Sequence, residues 1–307
     1  MESMRVLGVA LVVVVGGWLA PPPASTAPAA EDARLGCWSA ESGEFTLLLE
    51  PGRAGLIDGD LPRFFRAAYA ADGVTLESWG RELAFQLELD GARMHLMGSD
   101  RDLWMQRVER VPELLLVAPY ELPEDFEVDA DLVADLTADL LRRRAEDQRV
   151  RRDLESGDDP SMMQRVDSDN TEFLRNLIGE LGWIDAVRFG AEASDAAFLI
   201  VQHTSDLRLM RTALPRIEQD VRAGHINGQN YALLFDRLQL NLGYLQRYGS
   251  QIGVLDGEHL LMPCEDLARV DELRAELGMG PLGEYLAYFR EEGEPAIRHL
   301  GQGTYGE

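Results

Sequence analysis

The chain has 307 residues, 46% hydrophobic and 27% charged, which is length and apolar content for one large or two ordinary globular domains and argues against wholesale disorder. Its net charge of -25, from 54 acidic and 29 basic residues, repels phosphate backbones and anionic lipid head groups, so nucleic acid and membrane surfaces are poor partners. Every one of those basic residues is Arg, which removes Walker-lysine, Schiff-base and Ser–Lys chemistry.

Residues 1–27 read as a secretory signal. Arg5 gives a positive start, Val6 to Ala20 is apolar apart from glycines, Pro21 to Pro23 break any helix, and Ala24-Ser25-Thr26-Ala27 supplies small residues at a cleavage-like spacing. The apolar run falls short of the roughly 20 residues that span a bilayer, so the expected product is secreted or periplasmic, without stable membrane insertion after signal cleavage. Residues 28–35 follow as a linker. Cys37 and Cys264 either pair in an oxidising compartment or remain two buried thiols.

Residues 36–110 favour strands. Phe45–Leu49 precedes a Pro51-Gly52 turn, and Val74-Thr75-Leu76 follows Asp72-Gly73. Leu83–Leu89 alternates by twos, meets Asp90-Gly91 and continues as Arg93–Met97, a strong hairpin signal, with Leu103–Val108 as the last strand. The expectation is a small antiparallel β meander or lipocalin-like module, with His95 facing solvent.

Residues 111–127, rich in Pro and acidic side chains, read as a linker, and 128–292 as an all-α helical domain, which makes the fold class α+β. Leu132, Leu136, Leu140 and Leu141 form one stripe, with Arg142–Arg144 and Arg151–Arg152 on the solvated side. A break is expected at Gly157–Pro160, and Asp169-Asn170-Thr171-Glu172 has the form of a capping box. Ala196–Val201 is apolar on every side and reads as a central buried helix ending in Gln202-His203. Leu207 to Arg222 reads as an amphipathic helix interrupted by Pro215, with Gly224 at its end. The next helix carries Tyr231, Leu234, Phe235 and Leu238 on one face and sets Asp236 between Leu233 and Leu240, where a charge needs a partner. Helices near Leu267–Leu277 and Pro281–Phe289 complete the domain, and 293–307 reads as a flexible tail.

The ordered combination Asp167-x-Asp169-Asn170-Thr171, Gly182-Trp183, Gly190, Val201-Gln202-His203, Asp236-Arg237, Gln246-x-Tyr248-Gly249-Ser250-Gln251 and Asp271-x-x-Arg274-x-x-x-Gly278 resembles the bacterial family catalogued as domain of unknown function 6624, over about residues 130–290. The chain departs from that pattern at Ile184, where Pro is usual, at Ser205, where an acidic residue is frequent, and at Ser250, where Thr is usual. The resemblance implies a shared helical fold and brings no activity with it.

The polar residues of this stretch leave two functions open. In the first, the chain is a non-catalytic exported protein that binds a small molecule or an envelope or extracellular protein through Gln202, Arg237, Gln246, Tyr248, Ser250 and Gln251. In the second, it is a hydrolase-type enzyme with His203 as general base and with Asp236, Arg237 and the Gln246-x-Tyr248-Gly249-Ser250-Gln251 stretch positioning substrate. Each residue also has a structural role open to it: a satisfied buried histidine, a charge pair joining helices, a glycine-ended helix. No cofactor or metal is expected, His225, His259 and His299 read as surface, and the sharpest expectation is that His203, Asp236, Arg237, Gln246, Tyr248 and Gln251 share one pocket.

Overall fold

A computed structural model describes residues 32–58, 62–98, 101–155, 159–255, 258–289, 297–300 and 303–304. The expected signal segment, residues 1–27, lies outside the described residues, as does the Gly157-Asp158 part of the expected break. The chain divides into two units. One comprises Pro119–Phe235 with Asp271–Pro281; the other holds the strands up to Ala118 together with Asp236–Val270 and the chain from Leu282.

Eight antiparallel strands, β1 (Gly36–Ala40), β2 (Phe45–Glu50), β3 (Arg53–Asp58), β4 (Pro62–Ala70), β5 (Gly73–Ser78), β6 (Arg81–Asp90), β7 (Arg93–Met97) and β8 (Asp102–Val108), each pair with the next. β1 also pairs with β8, opposing Cys37 to Val108, so the expected meander closes into a barrel. The β6–β7 hairpin turns at Asp90-Gly91 in the expected register, with Asp90 opposite Arg93. Alternating residues, among them Trp38, Leu47, Leu49, Leu56, Phe65 and Leu76, fill the interior as an apolar core. His95 stacks on Trp104 with ring centroids 4.5 Å apart and bonds Asp102.

The pattern alone did not single out β3 and β4, and their second face explains why. Helix α1 (Glu113–Leu116) sets Leu115 against Gly55. Arg53 donates from Nε to Leu242 O at 2.7 Å, and its guanidinium lies over the rings of Phe64 and Tyr244. Gly243, at φ +80°, brings its backbone so close to β4 that a Cβ there would sit 2.4 Å from Phe65 O. A strand covered on both faces loses its polar alternation.

The helical unit contains α2 (Ala130–Glu155), α3 (Pro160–Leu181), α4 (Ala186–Phe189), α5 (Ala191–His203) and α6 (Leu207–Arg222). α5, with its all-apolar Ala196–Val201 run, is the central helix, packing against α2, α3, α4 and α6. α3 corrects the capping-box reading. It starts at Pro160 with Asp159 as its cap, accepting from Ser161 N, so Asp169–Glu172 lies mid-helix. Tertiary partners occupy that stretch: Asn170 accepts from Arg143, and Thr171 bonds Thr204. Asp206 caps α6, accepting from Arg208 N and Leu209 N, and the helix continues through Pro215 rather than breaking there.

Helix α7 (Gly228–Asn241) is followed by β9 (Ile252–Leu255), β10 (Glu258–Leu261), α8 (Val270–Glu276), α9 (Leu282–Ala287), β11 (Arg298–His299) and β12 (Gly303–Thr304). The four strands form a sheet in the order β12-β11-β10-β9, which the sequence pattern did not anticipate. β10 and β11 run parallel, and Ile252, Leu261, Cys264, Val270, Leu282, Leu286 and Ile297 cluster beside them. Cys37 and Cys264 are both free, buried thiols. Among the described residues no helix is long and apolar enough to cross a membrane.

Candidate functional site

Three helices of the first unit bring four polar side chains to one place. Asp147 and Arg151 are one turn apart on α2, Asp167 projects from α3, and His203 is the last residue of α5. Arg151 donates from Nε to His203 Nδ1 at 3.0 Å, from Nη2 to Asp147 Oδ1 at 3.1 Å and to Asp167 Oδ1, and its Nη1 meets Met163 Sδ at 3.2 Å. His203 Nδ1 also lies 2.9 Å from Asp147 Oδ1. The side chains of Asp147, Arg151 and His203 are 1%, 6% and 6% exposed, against 20% for Asp167, so the cluster meets solvent mainly through Asp167.

Burial by itself would raise the Asp147 carboxyl pKa. The His203 and Arg151 contacts outweigh it and hold the group down to about 2. Asp147 is therefore a carboxylate at neutral pH. The Nδ1 position is contested: as a lone pair it accepts from Arg151 Nε, and as N–H it donates to Asp147 Oδ1. The proton on His203 decides which of two neighbours the ring serves.

A ring nitrogen of His203 and one oxygen each of Asp147 and Asp167 lie within 4.8 Å of one another, a spacing that suits a metal ion. The Arg151 guanidinium already donates to all three groups, so the cation compensating these carboxylates is supplied by the chain itself.

A second network belongs to the other unit. Asp236, fully buried, accepts from the backbone N–H groups of Arg247 at 2.7 Å, Tyr248 at 3.1 Å and Ser250 at 2.9 Å. Burial pushes its carboxyl up to about 6, although those donors favour the charged form. Gln246 fixes the same loop: Nε2 donates to Gln251 O and Met262 O, and Oε1 accepts from Gln251 N. Arg237 Nε donates to Gln251 Oε1 at 3.2 Å, and Gln251 Nε2 donates to Ser250 Oγ. Gly249 makes the turn at φ +63°, where a Cβ would meet Leu282 at 2.9 Å.

The residues singled out in the sequence thus fall into two groups. Asp236, Arg237, Gln246, Tyr248, Ser250 and Gln251 are joined in the second network, while Gln202, buried, and His203 belong to the helical unit. The partners that Asp236 required are backbone N–H groups and the Ser250 side chain rather than a side-chain cation. Sequence reasoning missed Asp147 and Arg151 and placed Arg151 on the solvated side, whereas the structure buries it. The signal was present in the Asp147–Arg151 spacing of one helical turn beside the apolar Val150. His299, read as surface, is 3% exposed, because pairing of β11 with β10 carries it into the interior.

Fold and site together define an α+β protein with a filled eight-stranded barrel, a helical part and a buried ionic cluster at the end of its central helix. Residues 134–293, more than half of the chain, match the model of a family of unknown function, DUF6624, and the chain belongs to that family. Comparisons with curated proteins and with solved structures found no match.

Proposed function

We propose that the chain is an exported, non-catalytic binding protein that holds a small polar molecule at the Asp147–Arg151–Asp167–His203 cluster. The observation that supports this reading is the cross-bonding of four polar side chains from three separate helices. Groups already fixed by one another lose little freedom when a ligand joins them, which is the condition for useful affinity from few contacts. Asp167, the most exposed member, is the point of approach. Gln246, Tyr248, Ser250 and Gln251 are buried and bonded within their own loop, so this reading does not rest on them.

One observation favours a hydrolase-type enzyme as the second reading. The 2.9 Å contact from Asp147 to His203 Nδ1 is an arrangement in which a carboxylate orients an imidazole for proton transfer at its other nitrogen.

The test is to purify the exported protein, screen small polar compounds by thermal shift, and recover each stabilising compound. A compound returned unchanged, whose shift is lost in Asp167→Asn, supports binding; one returned cleaved by the wild type and intact from His203→Gln supports the enzyme. Stabilising compounds whose shifts ignore both substitutions would sink the site. Export is checked by intact mass: a chain starting near Pro28 is expected, and one retaining Arg5 refutes it.

A further inference from the structure

Among the described residues the His299 ring makes one hydrogen bond. Its Nε2 accepts from the backbone N–H of Cys264 at 3.1 Å, and among the described residues its Nδ1 has no partner. An imidazole nitrogen accepts only without a proton, so the ring is neutral and carries its hydrogen on Nδ1. Around it, β11 holds β10 through the Leu260↔Arg298 and Leu261↔His299 pairs and through Leu300 N donating to Leu261 O at 2.9 Å. Ile297 lies in the apolar cluster that encloses Cys264. The Cys264 segment in turn supports the polar loop: Gln246 N donates to Pro263 O, Glu265 N to Gln246 O, and Gln246 Nε2 to Met262 O.

We propose that His299 is the catch of an acid-sensitive latch, in which protonation of its ring releases Ile297–Leu300 from β10, uncovers Cys264 and loosens the Gln246–Gln251 loop. Protonation turns Nε2 into a donor facing the Cys264 N–H, which destroys the one bond holding the ring and buries a cation. Among the described residues the charged groups around it offer no rescue. Arg66 of β4 is positive and disfavours a second cation; Asp236 acts on Cys264 but is engaged by the loop amides; Glu258 of β10 pairs with Arg298 of β11 at 2.7 Å, on the exposed side. His259 of β10 is exposed, its ring tilted against that of Phe289 with centroids 5.7 Å apart.

Burial, then Arg66, lowers the proton affinity of His299 below that of a free imidazole. The unfolded or released segment therefore binds the proton better. The closure contributes its stability above roughly pH 6.5 and loses it as pH falls below that value. Cys264 reports the opening directly, because burial and the nearby Asp236 push its thiol up to about 12 and leave it inert in the closed form.

The experiment labels the full chain with 4,4′-dithiodipyridine, which reacts at acid pH, and reads Cys264 by peptide mass spectrometry in the wild type and in His299→Gln, whose amide oxygen accepts the Cys264 N–H without titrating. Between about pH 7.5 and pH 5.5, wild-type labelling, taken relative to free cysteine at the same pH, should rise up to about tenfold while His299→Gln stays flat. An equal rise in both, or no rise in the wild type, overturns the proposal. Should His299→Gln fold poorly, hydrogen exchange of the wild-type Cys264 and Leu300 amides, corrected for intrinsic rates, decides it: loss of protection must follow the imidazole titration, and unchanged protection at acid pH refutes the latch.

Discussion

Arg151 is the residue on which the cluster's stability turns. Its guanidinium is 6% exposed and donates to Asp147, Asp167 and His203, so Arg151→Met keeps most of the volume but removes the cation that the two carboxylates share. Removing one partner of a buried ion pair typically costs about 3–5 kcal/mol, because the remaining charge stays desolvated. Urea unfolding followed by circular dichroism at 222 nm should show a loss in that range for Arg151→Met. Adding Asp147→Asn should return part of it, since that double variant removes the uncompensated charge with its partner. Zn²⁺ should raise the midpoint of Arg151→Met more than that of the wild type, because the guanidinium no longer competes for His203 and the two carboxylates. A loss below about 1 kcal/mol would put Arg151 among ordinary surface pairs and refute the reasoning.

Three further outcomes follow from the two networks. Asp147, held at about 2 against 3.8 for a free Asp, contributes stability above the unfolded value that disappears as pH falls from about 4 toward 2; the effect is on the order of 2 kcal/mol, and acid titration of wild type against Asp147→Asn reads it as a difference in slope. Asp236→Asn replaces an acceptor-only carboxylate by an amide whose NH₂ opposes the loop's N–H groups; hydrogen exchange at Tyr248 and Ser250 should lose protection, and unchanged protection there would show that the loop holds itself. Gly249→Ala should destabilise by about 1–3 kcal/mol, since φ +63° disfavours any Cβ and this one meets Leu282 at 2.9 Å; a thermal midpoint equal to the wild type's would contradict it.

The local chemistry of the chain shows how far a sequence carries. Alternation on either side of Asp90-Gly91 specified β6 and β7 because a strand with one wet face must alternate, and the all-apolar Ala196–Val201 run specified the central helix because only a fully enclosed helix tolerates it. β3 and β4 were illegible because both of their faces are covered, and the capping box misled because Asn170 and Thr171 serve partners on other helices. The family-like order of polar residues marked His203, Asp236 and the Gln246–Gln251 stretch, but order along a chain says nothing about which atoms meet. What the sequence by itself determined is an acidic α+β chain with strands first and helices after, since charge, period and turn residues are properties of neighbours. Only the tertiary structure decided that Arg151 is the cation beside His203, that backbone amides answer Asp236 and that β11 buries His299. Each of these is a contact between residues at least 11 positions apart, and burial by distant chain turns an ordinary Arg, Asp or His into one whose hydrogen bonds must all be found.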